Sequence, residues 1–240
     1  MKYTMETKTK NVVPINSAFS AGEIISFRKE TAGCNNVIHL NNAGAGLMPN
    51  IVTQSQLEHI KLESQIGGYE ASALKAETIQ QFYIQAAALF NCKPSNIAFT
   101  ASATDSYTRA LSSIPFQEGD IILTDNDDFV SNQIQFLSLQ KRLRVKIVRI
   151  KNSLSGGVDL NDLEEKLKKY QPRLLAITHI PTNSGLVQPV KEIAKIYDSY
   201  LQSFPEKTWY ILDACQSAGQ MKLDLVELKC DFLSVTGRKF

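Results

Sequence analysis

The stretch Leu174-Leu175-Ala176-Ile177-Thr178-His179-Ile180-Pro181-Thr182-Asn183, residues 174–183, has the pattern that decides the fold. Its first five residues are apolar or β-branched, and they predict a strand that is buried on both faces. Polar residues and a proline follow at once, which predicts that the strand ends at Thr178 and that a loop begins there. Strands of this kind are typical of parallel sheets that helices cover on both sides.

The same pattern recurs along the chain from about residue 95. Short β-branched runs predict five more strands, at Ile97–Thr100, Asp120–Leu123, Lys146–Ile150, Trp209–Leu212 and Phe232–Ser234. Helical periodicity predicts helices between the strands, at Asp105–Ser113, Ser131–Arg142, Leu160–Tyr170 and Val190–Gln202. Only the last connection lacks a clear long helix. Strands that alternate with helices predict an α/β fold with a mainly parallel sheet and helices on both faces.

The first ninety residues have a different character. Residues 1–20 are polar and aperiodic, and they predict an N-terminal arm before one large domain over residues 21–240. That domain would open with a helical segment over residues 21–92. Within it we expect a helix at Ala21–Lys29, a strand at Val37–Leu40, and two helices between Pro49 and Phe90 that Gly67-Gly68 separates.

Composition narrows the function classes. The 240 residues are 43% hydrophobic and 21% charged, and 26 basic against 24 acidic residues leave a net charge of +2. Such a balance favours neither nucleic acid nor a membrane as partner, and no apolar run approaches the ~20 residues of a membrane span. The N-terminus has no apolar core of a signal peptide. The four cysteines form no CxxC pair and have no metal-ligand spacing with the three histidines, which predicts reduced cysteines, no metal and a cytoplasmic location.

In parallel sheets, ligands bind beyond the carboxyl ends of the strands, so the residues after each predicted strand are the candidates. Ala101-Ser102-Ala103-Thr104 joins a strand to a helix, where small residues and the helix N-terminus favour an anion such as phosphate. A simple helix-capping role for Ser102 or Thr104 is the alternative. Arg238 and Thr236, beyond the last strand, could also hold a phosphate.

Asp213 and Lys239 each follow a predicted strand. A carboxylate at a buried strand end needs a cationic partner, and a pyridinium N–H is one such partner. A lysine beside another cation, here Arg238, is suited to form a Schiff base. The alternatives are a turn-capping role for Asp213 and a solvated basic tail that contains Lys239.

Three further residues complete the set of candidates. Phe129 lies in an acidic and polar loop and could stack on an aromatic ligand, or it could anchor the loop in the core. Asn183 and Gln216 could donate hydrogen bonds to a phenolic oxygen, or each could be a turn residue. A nucleotide-binding domain of another type is disfavoured, because no GxGxxG follows the first strand and no P-loop motif occurs.

Three segments carry a resemblance to a known family: Leu40-Asn41-Asn42-Ala43-Gly44, Phe99-Thr100-Ala101-Ser102-Ala103-Thr104-Asp105 and Asp128-Phe129-Val130-Ser131-Asn132. With Asp213 and the closing Thr236-Gly237-Arg238-Lys239, they resemble the class V aminotransferases over roughly residues 35–240. These are pyridoxal-phosphate (PLP) enzymes of fold-type I, which include cysteine desulfurases, selenocysteine lyases and other C–S lyases. The resemblance implies a homodimer for the full-length protein, and an amino-acid substrate that undergoes transamination, C–S cleavage or epimerisation.

The resemblance also implies a role for each candidate residue. Lys239 would be the catalytic Schiff-base lysine and Asp213 the partner of the pyridine nitrogen, while Phe129 would stack on the ring. The remaining cofactor-binding positions would be phosphate ligands at Ser102, Ala103, Thr104, Thr236 and Arg238, and neighbours of the phenolic oxygen at Asn183 and Gln216. Desulfurases usually have histidine at the position of Phe129. Family members also continue past this lysine into a small domain with a substrate-binding arginine, so a catalytically silent, truncated PLP-binding fragment or interaction partner is the alternative.

Overall fold

A computed structural model of the protein describes residues 19–204 and 208–239. Five parallel strands form one sheet in the order β2-β1-β3-β4-β5. The strands are β1 Ile121–Thr124, β2 Lys146–Arg149, β3 Leu174–Thr178, β4 Trp209–Asp213 and β5 Phe232–Ser234. The predicted parallel α/β sheet is therefore confirmed. Most of the predicted N-terminal arm, residues 1–18, lies outside the described residues, and the proposed domain boundary stays a prediction.

Helices surround the sheet and precede it. The α-helices are α1 Ala21–Lys29, α2 Asn50–Ile66, α3 Gly68–Leu74, α4 Ala76–Phe90, α5 Ala103–Ser112, α6 Val130–Leu143, α7 Leu160–Tyr170, α8 Val190–Ser203 and α9 Leu225–Leu228. Short 3-10 helices lie at Ala32–Asn35, Pro94–Asn96 and Gly237–Lys239. No described helix is long and apolar enough to cross a membrane.

Alternate side chains of the central strand β3 enter two separate cores. Leu175 and Ile177 pack in one core with side chains of α7 and α8, including Leu163 and Tyr197. Leu174 and Ala176 point the other way and pack in a second core with side chains of α5 and α6, such as Phe136. All five residues of β3 are buried, because helices cover both faces of the sheet as the apolar sequence predicts.

The register of the strands brings three polar residues to one edge of the sheet. Thr178 of β3 is paired with Asp213 of β4, and Asp213 is paired with Ser234 of β5. Since all three strands run in the same direction, their following loops meet at the same end of the sheet. Each of these three side chains is buried. The carboxyl ends of these strands therefore form a polar region that is enclosed by protein.

Two predicted strands are wrong. Val37–Leu40 and Ile97–Thr100 belong to no strand, and no described segment pairs with either in a sheet. Ile38 and Leu40 are each 91% exposed, and Phe99 is 73% exposed. A β-branched run forms a strand only where a neighbouring backbone supplies hydrogen-bond partners, and these two runs have no such neighbour in the described chain.

The helical segment before the sheet has one more break than predicted. Gly67, with φ of 92°, separates α2 from α3, as expected for a residue without a Cβ. A second break occurs at Lys75, with φ of −99° and ψ of 11°. Lys75 is a good helix former, so propensity does not indicate this break. The stretch between Pro49 and Phe90 therefore contains three helices instead of two.

Asp162 in the first turn of α7 joins that helix to the end of β2. Its buried carboxylate accepts hydrogen bonds of 2.7 Å from both the Lys151 backbone N–H and Lys166 Nζ. Burial raises the pKa of Asp162, but the hydrogen bonds and charges of Lys166 and Lys151 prevail and lower it below its ordinary value. The ionised form therefore contributes to stability at neutral pH, and this contribution is lost as the pH falls through the lowered pKa.

We expect Asp162→Asn to reduce the free energy of unfolding by about 1–3 kcal/mol, because one charged acceptor serves two donors. Urea unfolding at neutral pH measures the loss. Glu164→Gln is the matched control, since Glu164 forms an ion pair of the same spacing, 2.6 Å from Lys168, but with both side chains exposed. The control should change little. Equal losses in the two variants would contradict the role of burial.

Candidate functional site

A cavity opens at the carboxyl ends of β3, β4 and β5. Its wall is formed by loops that follow these strands and by the first turns of α5 and α6. The lining residues are Ser102, Ala103, Thr104, Phe129, Ser131, Asn132, Thr178, Ile180, Thr182, Asp213, Cys215, Gln216, Thr236, Arg238 and Lys239. Nine of the ten residues predicted for the site are in this set, and Asn183 is not.

The N-terminus of α5 forms one end of the cavity. Ser102 is the N-cap, and its hydroxyl accepts a hydrogen bond of 3.1 Å from the Asp105 backbone N–H. The capping interpretation of Ser102 is therefore correct, and the residue lines the cavity as well. Ser106 in the same turn lies 2.7 Å from the Ser234 hydroxyl, which fixes α5 against the end of β5. This end of the cavity offers helix N–H groups and the Thr104 hydroxyl to an anion.

Arg238 and Lys239 face the same cavity from the short turn after β5. Backbone contacts hold this turn: the Arg238 carbonyl accepts from the Gly46 N–H at 2.7 Å, and the Lys239 carbonyl accepts from Gln220 Nε2 at 3.2 Å. Within residues 19–204 and 208–239, no carboxylate forms an ion pair with either side chain. Their positive charges are therefore available to an anionic ligand.

The Asp213 carboxylate lies on the wall, and two N–H donors hold it. Its Oδ1 accepts from the Cys215 backbone N–H at 3.0 Å, and its Oδ2 accepts from Asn132 Nδ2 at 3.0 Å. Asp213 is only 7% exposed. A buried carboxylate fixed at both oxygens is suited to accept a further hydrogen bond from a ligand N–H, because each oxygen has a second lone pair.

A second carboxylate lies behind this contact. Asp128 Oδ1 accepts from Asn132 Nδ2 at 2.8 Å and from the Thr178 hydroxyl at 2.7 Å, and its Oδ2 accepts from Gln133 Nε2 at 2.6 Å. Burial raises the pKa of Asp128, and these hydrogen bonds oppose that rise. Asn132 therefore lies between two carboxylates and donates to both.

The remaining predicted residues take different positions. Phe129 is 44% exposed at the start of α6 and forms part of the cavity wall. Gln216 also lines the wall, and its Nε2 donates to the Thr182 hydroxyl at 2.8 Å and the Ala43 carbonyl at 3.1 Å. Asn183 is exposed beside Thr182 but is not on the wall, so its predicted contact with a phenolic oxygen has no counterpart in this cavity. Its role stays a prediction.

Cys215 is a cysteine on the wall that the sequence did not single out. Burial raises the pKa of its thiol strongly, and the neighbouring Asp213 carboxylate adds to the rise. The thiol is therefore protonated at neutral pH, whereas the thiolate is the nucleophilic form. Cys215 is consequently a poor candidate for a nucleophile.

Sequence reasoning also missed Asn132, Thr178 and Asp128 as part of the site. Asp128 and Asn132 belong to a segment that carries the family resemblance, but only Phe129 in that segment received a role. Positions 128 and 132 are four residues apart across the start of α6, a spacing that places their side chains close together. Among the described residues, no group of three or more histidine, cysteine or acidic side chains could hold a metal ion.

A parallel sheet with an anion-binding helix end, a buried carboxylate and a lysine at one edge defines a class of cofactor-binding α/β proteins. The family model of aminotransferase class-V matches residues 37–240. The chain belongs to the aminotransferase class-V family.

Several curated proteins are similar to the chain. It is 27% identical to a probable cysteine desulfurase of Pyrococcus abyssi over 217 residues, which cover 88% of this chain and 52% of that protein. It is 26% identical to a probable cysteine desulfurase of Methanothermobacter thermautotrophicus over 205 residues, which cover 84% of this chain and 49% of the relative. The chain thus spans about half the length of these relatives.

Solved structures support the same fold. The apo structure of a cysteine desulfurase from Thermococcus onnurineus NA1 superimposes with a TM-score of 0.77 at 27% identity, covering 89% of this chain and 53% of that chain. The cystine C–S lyase C-DES, solved with its product cysteine persulfide, superimposes with a TM-score of 0.76 at 22% identity, covering 87% and 55%. At 22% identity, the similarity to this lyase shows a shared fold and nothing further.

Proposed function

We propose that the chain binds pyridoxal 5'-phosphate and belongs to an enzyme that acts on an amino acid. One observation carries the proposal: the α5 N-terminus, the Asp213 carboxylate and Lys239 line one cavity. Each of the three matches a different part of the cofactor, which has a phosphate, a ring nitrogen and an aldehyde. The family membership and the relatives named as cysteine desulfurases support the same conclusion.

The donors present fit the cofactor. Ser102, Ala103 and Thr104 at the helix N-terminus, with Thr236 and Arg238, would hold the phosphate. Asp213 would accept the ring N–H, and Phe129 would pack on the ring face. Gln216, and in the prediction also Asn183, would lie near the phenolic oxygen. Lys239 Nζ would form the covalent bond to the aldehyde carbon.

Bound pyridoxal phosphate supplies an electron-withdrawing ring that stabilises negative charge at the substrate's α-carbon. The chain's own residues perform the other tasks. Lys239 Nζ, once it is a free amine, would take the proton from the α-carbon of the amino acid. Asp213 would keep a proton on the ring nitrogen, because a buried carboxylate stabilises a neighbouring N–H cation. The phosphate contacts fix the orientation of the ring with respect to Lys239.

The reaction class is transamination, C–S cleavage or epimerisation, and the relatives' names favour chemistry at a sulfur-containing amino acid. Two features disfavour a desulfurase that forms a persulfide on a cavity cysteine. Phe129 provides no imidazole for proton transfer, and the raised pKa of Cys215 keeps its thiol protonated. We therefore propose that Cys215 is not the residue that receives sulfur in this enzyme.

Amino-acid turnover tests this proposal. We expect the full 240-residue chain, loaded with pyridoxal phosphate, to change its near-visible absorbance when cysteine, cystine or alanine is added, since the amino acid takes the place of Lys239. Sulfide, pyruvate and the amine form of the cofactor are measured separately. Sulfide indicates C–S cleavage, and the amine form of the cofactor indicates transamination. Free cofactor at the same concentration is the control. No spectral change with any amino acid, in a chain that binds the cofactor, would count against the enzymatic proposal.

A catalytically silent PLP-binding fragment or interaction partner is the second candidate. The observation that favours it is the number of large apolar side chains that are exposed on the segments before the sheet, among them Ile38, Leu40, Ile51 and Tyr69. A surface of this kind is typical of proteins that associate, so we also propose a homodimer for the full-length protein. We further propose a cytoplasmic location, with no nucleic-acid or membrane partner. Turnover of any amino acid by the 240-residue chain would contradict the silent candidate.

A further inference from the structure

The side chain of Asn132, at the start of α6, has an arrangement that the cofactor contacts alone do not require. Its amide nitrogen lies 3.0 Å from Asp213 Oδ2 and 2.8 Å from Asp128 Oδ1. Because both neighbours are carboxylate oxygens, which only accept hydrogen bonds, the nitrogen and not the oxygen of the amide must face them. Asn132 is 2% exposed, so water is not available to replace these contacts.

We propose that Asn132 is a positioning residue that orients the Asp213 carboxylate toward the ring nitrogen, and that Asp128 fixes Asn132 for this task. The proposal rests on the proposed function, because it concerns the contact between Asp213 and bound pyridoxal phosphate. The other described donors to Asp213 both belong to Cys215: its backbone N–H, at 3.0 Å from Oδ1, and its thiol. Asn132 is thus the side chain that holds Oδ2, the second oxygen of this carboxylate.

The surroundings of Asp128 explain why Asn132 cannot turn away. Besides Asn132, the Asp128 carboxylate accepts from the Thr178 hydroxyl, Gln133 Nε2 and the Phe129 backbone N–H, at 2.7, 2.6 and 2.7 Å. Asp128 is therefore fixed from β3 and from the start of α6. A fixed acceptor holds one N–H of the Asn132 amide, and the planar amide then directs its other N–H toward Asp213.

The hydrogen bonds of Asn132 indicate which part of cofactor binding should depend on this residue. Removing Asn132 leaves Asp128 with three donors but leaves Asp213 with donors from Cys215 alone, its backbone N–H and its thiol. The phosphate end of the cavity, formed by α5 and the turn after β5, has no contact with Asn132 among the described hydrogen bonds. The effect should therefore be confined to recognition of the ring nitrogen, and the phosphate and covalent contacts should remain.

The test compares two probes, pyridoxal phosphate and its 1-deaza analogue, in which carbon replaces the ring nitrogen. The quantity measured is the ratio of their dissociation constants for the full 240-residue chain, taken from absorbance titrations. We expect the wild type to prefer pyridoxal phosphate, and Asn132→Leu, which has a similar shape without N–H donors, to reduce this preference roughly ten-fold, or ~1.4 kcal/mol. Borohydride reduction should still attach either probe to Lys239 in the variant.

Asn126→Leu is the matched control, because it is the same substitution in the loop after β1, and the Asn126 amide donates to the Ile150 carbonyl and to Asn152 Oδ1 but has no described hydrogen bond to Asp128 or Asp213. It should leave the ratio unchanged. If Asn132→Leu does not fold, Asp128→Asn provides a second variant, and its weaker acceptor should also lower the ratio. An unchanged ratio in a folded variant at position 128 or 132, or equal weakening of both probes, would overturn the proposal. A wild type that binds neither probe would instead overturn the proposed function.

Discussion

Lys239→Ala is expected to abolish covalent attachment of pyridoxal phosphate to the chain. Lys239 lies on the wall of the cavity that the α5 N-terminus and the Asp213 carboxylate also line. Without its Nζ, the described cavity wall offers no other lysine amine to the aldehyde, although the phosphate and ring contacts remain. We expect the near-visible band of lysine-bound cofactor to disappear, and any remaining binding to be reversible and released by dialysis.

Borohydride reduction followed by mass spectrometry of peptides gives the measurement. In the wild type, the cofactor mass should be found on the peptide that contains Lys239, and in Lys239→Ala no peptide should carry it. Lys222→Ala is the control, since Lys222 is exposed in the connection between β4 and β5 and does not line the cavity. Cofactor found on another lysine in both chains would show that attachment is not specific and would contradict the assignment of Lys239.

The sequence predicted the sheet well because its signals are local and strong. The bounds predicted for β3, β5 and α7 are those observed. Each element has a long apolar run or a clear helical period, and the central strand is buried on both faces, so packing and propensity agree. The failures at Val37–Leu40 and Ile97–Thr100 have a different origin: strand formation there depends on a distant pairing partner, which a local pattern does not reveal.

In the candidate site, too, features that depend on local sequence could be predicted and features that depend on distant contacts could not. The chemistry-bearing residues after the strands could be predicted, because a parallel sheet brings its carboxyl ends together. The contacts between the loops could not. The Asn132 amide reaches Asp213 across 81 sequence positions, and Gln216 reaches Ala43 across 173. Such contacts depend on the angles at which loops leave the sheet, and these angles follow from tertiary packing and not from residue type.

Asp125, directly after β1, should make the stability of the chain fall as the pH rises. Its carboxyl is 1% exposed; Oδ2 accepts from the Thr178 N–H at 2.9 Å, and Oδ1 has no hydrogen-bond partner among the described residues. Burial raises the pKa of Asp125 to about 8, with the charge of Asp128 as the next contribution. The folded chain therefore keeps a proton on Asp125 that the unfolded chain releases near pH 4.

The direction in which stability changes with pH follows from this difference in bound protons between the folded and unfolded chains. The stabilisation is fully present below about pH 4 and is lost as the pH rises through the raised pKa of about 8. The free energy of unfolding changes by ~1.4 kcal/mol for each pH unit across that range, so the upper bound on the loss of stability is on the order of 5 kcal/mol. We expect about half of it, because a folded chain relaxes around a buried charge. Asp125→Asn keeps the shape but does not ionise, so it should be the more stable chain at alkaline pH.

Urea unfolding of both chains at about pH 5, 7 and 9 measures this effect as the difference between their free energies of unfolding. His179 has the opposite influence, since burial lowers its pKa from 6.5 to about 4 and stability is lost as the pH falls through that range. Both chains contain His179, so its contribution cancels in the difference. The difference should be small at pH 5 and should grow to pH 9 in favour of Asp125→Asn. A difference that stays constant with pH would mean that Asp125 is ionised throughout, because a carboxylate with an ordinary pKa gives no slope in this range.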